Sequence, residues 1–190
     1  MKLKLWLLVA AAMLAVPIWM MYNHEEVRHA GEVFLFKTAP IDPRDPFRGE
    51  YVSLAFEAER GSWFCEGLPE TGGPTEVYAQ LDHDPEGFAV ITGLSMDKPA
   101  SGPYVRAKVQ GWRSGSDLVY RVELPFDRYY LQEGQGRRTE ELMMPGRRNE
   151  TGTGPKESWA VVRVHKGRAV VEDLMVDGRP IKEWMGEEDE

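Results

Sequence analysis

A single cysteine, Cys65, occurs in the 190 residues. One thiol cannot close an intramolecular disulfide, and one thiolate cannot make a cysteine-based zinc site. Histidine is scarce as well, with only His24, His29, His83 and His165. His24 and His29 are five apart and share no helical face, and Asp82, His83 and Asp84 read as solvated turn residues, so no metal is expected. Basic charge is in short supply, 23 Lys and Arg against 31 Asp and Glu, for a net −8. Lys2 and Lys4 precede the first apolar run, so the remainder is more acidic still. That balance excludes a phosphate-backbone stripe, and no nucleic-acid partner is expected. Missing too are a nucleophile elbow, an HExxH helix and a phosphate-cradling glycine loop. Ser53 has no local support for a lysine base such as Lys98 or Lys108. Cys65, beside Trp63 and Phe64, reads as an inert thiol without a neighbouring histidine. No cofactor is expected, and a non-enzymatic role is favoured over a catalytic one.

What the chain does have begins with Leu5–Tyr22, 18 residues without a charge, preceded by Lys2 and Lys4 and followed by Glu25 and Glu26. At ~1.5 Å per residue this run spans roughly 27 Å, close to a bilayer's hydrocarbon core. The basic end marks the cytoplasmic side, and Trp19 and Tyr22 suit the outer interface. Residues 1–22 are therefore expected to be a single-pass inner-membrane anchor, with the rest of the chain facing the periplasm. A cleaved signal peptide is the alternative. It is less favoured because the apolar run continues past Ala10–Ala12 to Tyr22 without a small-x-small site.

Residues 23–31 read as a polar linker, 32–185 as an exported β-domain, and 186–190 as an acidic tail. About eight strands are expected inside the domain, from alternating apolar residues between turn signals. They fall at 32–38, 51–58, 75–83, 88–94, 104–112, 118–124, 158–166 and 168–176. Asp84-Pro85-Glu86-Gly87 reads as a type I hairpin turn, and Gly167 and Asp177-Gly178 mark further turns. Residues 137–144 could form one or two helical turns, and Ile181–Met185 a short packed end. No long amphipathic helix follows residue 22. The expected fold is mainly β: an antiparallel sandwich or partly open barrel behind one N-terminal transmembrane helix.

The densest local code is Pro40–Phe56, PIDPRDPFRGEYVSLAF. Its prolines stiffen a loop that crowds Asp42, Arg44, Asp45, Arg48 and Glu50 together. The run Gly49-Glu50-Tyr51-Val52-Ser53-Leu54-Ala55-Phe56 resembles the signature of the GDYXXLXY protein family. So does its context: Pro43-Arg44-Asp45-Pro46-Phe47-Arg48 before it, Asp84–Phe88, Arg128-Tyr129-Tyr130-Leu131 with Glu133-Gly134, and Gly167-Arg168-Ala169-Val170 with Asp173-Leu174. The likeness spans roughly residues 32–180. Glu50 replaces the family's Asp and Phe56 its second Tyr, so chemistry needing the short carboxylate or the second phenol is not carried over. The resemblance implies a bacterial membrane-anchored or exported protein, a companion of a multi-span membrane protein, and implies no particular activity.

Two constellations are candidate binding sites. Asp42, Arg44, Asp45, Arg48 and Glu50 could present a rigid polar surface, although an ion-pair lock between loop and sheet is the more economical reading. Tyr51, Arg128, Tyr129, Tyr130 and Glu133 would line one patch if the two motif stretches meet, with Arg over an aromatic face; ordinary aromatic packing is the plainer alternative. The expected function is a membrane-tethered periplasmic β-domain that binds or supports an integral-membrane partner. The alternatives are an envelope enzyme with Asp45 or Glu50 as acid/base, and a ligand- or ion-sensing module.

Overall fold

Alternation of apolar and polar residues builds the sheets. In the strand Tyr104–Ser114, Val105, Ala107 and Val109 are buried while Arg106, Lys108 and Gln110 are exposed, the period-two pattern of a half-buried strand. The computed structural model describes residues 2–39, 51–61, 63, 73–114, 117–132, 135, 139 and 157–186. Within these, the side chains of 2, 3, 5, 7–11, 20, 22–24, 39, 112–114 and 117–119 lie outside the description.

Helix α1 (Lys2–Ala30) comes first. The strands follow in chain order: β1 (Glu32–Ala39), β2 (Tyr51–Ser53), β3 (Ala55–Phe56), β4 (Thr75–His83), β5 (Ala89–Ser95), β6 (Tyr104–Ser114), β7 (Asp117–Glu123), β8 (Arg128–Tyr130), β9 (Ser158–His165), β10 (Arg168–Val176) and β11 (Arg179–Pro180). A 3-10 turn at Glu57–Glu59 follows β3, and a short helix α2 (Ile181–Gly186) follows β11. The strands form a five-stranded sheet in the order β11-β10-β9-β1-β3, a four-stranded sheet β5-β4-β6-β7, and the pair β2-β8. All named pairings are antiparallel. Single parallel bridges, Leu35 to Phe88 and Val105 to Gly167, tie the two larger sheets together, which makes a partly open barrel.

All three sheets close on one core. Phe34 and Phe36 of β1 meet Val162 of β9, Val105 of β6 and Val77 of β4, all nearly fully buried. Phe36, Phe56 and Phe126 form an aromatic triad with ring centroids 5.0 to 5.5 Å apart, the tilted geometry favoured by ring quadrupoles. Turn chemistry sets the registers. Gly87 N–H donates to Asp84 O at 3.0 Å, and Asp84 Oδ1 accepts from Glu86 and Phe88 N–H, as a type I turn with Asp at its first position requires. Lys166-Gly167 and Asp177-Gly178 have positive φ at both positions, the twist-matched two-residue turns of tight hairpins.

Several expectations need correction. The strand expected over 51–58 is split at Leu54, whose N–H donates to Asp127 O at 2.7 Å, and it ends in the 3-10 turn. Short strands β8 and β11 join the expected eight. The stretch 23–31 is not a separate linker: α1 continues through Ala30, and Val27 is buried against the domain. Among the described residues, no helix is long and apolar enough to cross a membrane; the side chains at Leu5, Leu7–Ala11, Met20 and Tyr22 of the expected anchor lie outside them. The charged loop with Asp42, Arg44, Asp45, Arg48 and Glu50 also lies outside the described residues, as do Cys65, Glu133 and the expected helical turns at 137–144 apart from Thr139.

Candidate functional site

The two motif stretches meet. Strands β2 and β8 pair antiparallel, Tyr51 opposite Tyr130, Val52 opposite Tyr129 and Ser53 opposite Arg128. Side chains alternate across such a pair, so the outer and inner faces separate cleanly. Tyr51, Ser53, Arg128 and Tyr130 sit on the outer face, while Val52 and Tyr129 turn into the core. The same alternation makes Leu54 and Phe56 core residues. The apolar positions Leu54 and Phe56 of the GEYVSLAF run are thus packing residues, while Tyr51 and Ser53 face outward.

On the outer face the Arg128 guanidinium lies 5.0 Å from the centroid of the Tyr51 ring, a cation–π contact. Tyr51 and Tyr130 pack as a tilted pair with centroids 5.9 Å apart. Asp127 Oδ1 stands 3.7 Å from Arg128 Nε. The Asp127 charge first, then Tyr51 and Tyr130, push the Arg128 pKa above its ordinary value. Tyr130 is 72% exposed. A guanidinium stacked on a ring still has five N–H donors, enough to reach a further carboxylate or carbonyl beyond Asp127 and Tyr130, and the two phenols beside it add donors and apolar ring area.

The inner face holds this arrangement in place. Tyr129, 6% exposed, donates its hydroxyl to Asp173 Oδ1 at 3.0 Å, and the same oxygen accepts Leu174 N–H at 2.9 Å. Burial first, then the Asp173 hydrogen bond, raises the Tyr129 pKa, so the phenol remains a donor. Asp173 follows a β-bulge in β10, where register shifts between Val171 and Asp173. Bulges re-aim side chains, and this one sits where Asp173 reaches across to β8. Below the pair, Glu59 joins three segments: its carboxylate accepts Phe56 N–H at 3.1 Å and Leu124 N–H at 3.0 Å. Burial raises its pKa against the lowering effect of those two bonds.

Of the expected patch, Tyr51, Arg128 and Tyr130 come together on one face. Tyr129 does not line it; it is the buried anchor beneath, because it is one residue out of phase on a strand. Asp173 and Glu59 were not singled out from the sequence. Asp173-Leu174 was part of the motif series, which was the available signal; nothing local distinguishes Glu59 from its neighbour Glu57. Of the Asp82, His83 and Asp84 trio, only Asp84 opens the turn; Asp82 and His83 end β4, where Asp82 Oδ1 accepts His83 N–H at 2.8 Å and the His83 ring stacks on Phe34 at 4.6 Å. No cluster of metal-ligating side chains occurs among the described residues.

The family model described as GDYXXLXY protein matches residues 13–174. No curated protein and no solved structure matches the chain.

Proposed function

The chain belongs to the GDYXXLXY family, and on that premise we propose that it is a membrane-tethered β-domain facing the periplasm, where it binds or supports an integral-membrane partner. The observation that carries the binding role is the outer face of the β2–β8 pair. Tyr and Arg are the side chains most often found at the energetic centres of protein interfaces. Here they pack on one another, on a strand whose inner face is anchored by the Tyr129–Asp173 hydrogen bond, so the backbone that presents them is already ordered before contact.

The tether is supported by α1. Trp6, Met13, Leu14, Ile18, Trp19 and Met21 are all exposed. Helix residues from Ala12 to Trp19 stand clear of the domain, and burial begins only near its end, at Val27. An apolar surface on every side of a helix calls for an apolar surrounding, which water does not supply. Lys2 and Lys4 support a cytoplasmic position for the other end of the helix.

A photo-crosslinker in place of Tyr130, in the full chain in native membranes, tests the reading. An integral-membrane protein should be caught at 130 and not from Glu183 on α2. Arg128→Glu should remove the crosslink at an unchanged thermal midpoint, since a central arginine is worth about 2 kcal/mol of binding. Equal capture from both positions, or capture that survives Arg128→Glu, counts against it.

A further inference from the structure

The last turn of α1 seats on the β9–β10 hairpin. Glu26 Oε1 accepts from Lys166 Nζ at 2.8 Å, and Val27 is buried. Arg163 Nη1 donates to Gly31 O at 3.4 Å. Beside this seat is an open recess of ≈ 290 Å³, lined by Ala30, Glu32, Pro103, Tyr104, His165 and Lys166 among others. Its lining carries charged side chains of both signs, Lys166 and Glu32. Lys166 has three donors, of which Glu26 takes one. His165 Nε2 is buried 3.4 Å from Glu26 Oε1, yet makes no hydrogen bond among the described residues. Lys98 adds a cation 6.0 Å from the centroid of the Tyr104 ring.

The height of this recess above the apolar run follows from the helix. Glu26 lies four residues beyond Tyr22, about 6 Å along the axis, and Ala30 about 12 Å. The headgroup layer is about 5–7 Å deep on each side of the hydrocarbon, and helix tilt brings the recess nearer to it. On the tethered reading, α1 runs unbroken into its seat and would hold the Glu26–Lys166 end of the recess at headgroup depth.

We propose that this recess takes the headgroup of a zwitterionic aminophospholipid, with Lys166 on the phosphate and Glu32 on the ammonium. The assignment rests on the tethered reading above. A purely anionic headgroup would leave Glu32 facing like charge, and a quaternary ammonium has no N–H for it to accept. The bound lipid turns the β9–β10 tip towards the membrane and fixes which way the Tyr51–Arg128 face looks.

Native mass spectrometry of the detergent-solubilised full chain with phosphatidylethanolamine, phosphatidylglycerol or phosphatidylcholine tests it, alongside flotation with vesicles of the same lipids. Phosphatidylethanolamine should be retained about tenfold better than either competitor, the worth of one charge-assisted hydrogen bond. Lys166→Ala and, separately, Glu32→Gln should each erase that preference. Glu32 is exposed at the start of β1, so Glu32→Gln leaves the fold intact even if Lys166→Ala loosens the helix seat. Flotation without lipid preference, or a preference unchanged in both variants, overturns the recess assignment alone. Failure of the wild-type chain to float overturns the tether and the recess with it.

Discussion

Burial and hydrogen bonding pull Glu59 in opposite directions. Taking a carboxylate out of water disfavours its charged form, while two backbone N–H donors favour it; burial prevails, and the pKa rises. A folded-state pKa above the unfolded value means that this group's contribution to stability is greatest below the unfolded value. It is lost as pH rises through the folded one. Glu59→Gln removes that pH dependence. It also offers one acceptor where two are needed, so the Phe56 or the Leu124 N–H is left facing an amide NH2. An unsatisfied buried donor costs about 1–3 kcal/mol, more than relief of the charge returns. We expect a lower thermal midpoint for Glu59→Gln at neutral pH, and a flatter stability profile from pH 7 down to pH 4. Equal midpoints would mean that the two N–H groups find water instead. Nothing in the sequence points to this residue, because its partners are 3 and 65 positions away and only the fold brings the second one close.

At the scale of elements, local pattern and long-range choice separate. The hairpins β4–β5, β6–β7 and β9–β10 are legible because alternation, turn residues and pairing all lie within about twenty positions of one another. Strand β8 was not legible as a strand. Three residues carry too little periodicity, and its partner β2 is far away in the chain; only the motif order hinted that Tyr51 and Arg128 meet. The split at Leu54 has the same origin, since its N–H is claimed by Asp127 O. Residues 23–31 read as a linker on polarity alone, yet Glu26 and Val27 are polar and apolar contacts of a helix that docks. Gly31 shows how close that docking is. Its N–H closes the last helical turn onto Val27 O at 3.0 Å. A Cβ there would clash with Val27 O and come within 3.1 Å of Arg163 Cβ. Gly31→Ala should therefore cost about 1–3 kcal/mol through overpacking. Amide exchange should rise at the β9–β10 turn before the rest of the sheet. A substitution without effect on either would show α1 to be loosely seated, and the rigid orientation of the domain would fail with it.

For the whole molecule, the arrangement is one of opposed ends. The chain's net charge of −8 makes it a poor match for an anionic surface, so charge alone would not hold it at a bilayer. On the tethered reading the attraction comes from α1, whose apolar side chains are exposed while those of the β-domain are gathered in one core. The two sources of attachment differ in their response to salt. Ionic contacts are screened within about 3 Å at 1 M salt, whereas burial of apolar surface is not weakened by screening. The full chain should therefore stay in the membrane pellet through a 1 M salt wash and through alkaline carbonate. Replacing Leu14 and Ile18, both exposed on α1, with Lys should shift it to the supernatant. Each lysine near the middle of a span costs about 2.5–3.5 kcal/mol on insertion scales, and two leave a chain whose β-domain still melts at the wild-type temperature. Release of the unmodified chain by salt alone would show the reverse balance, with charge as the holding force and α1 bound to something other than lipid.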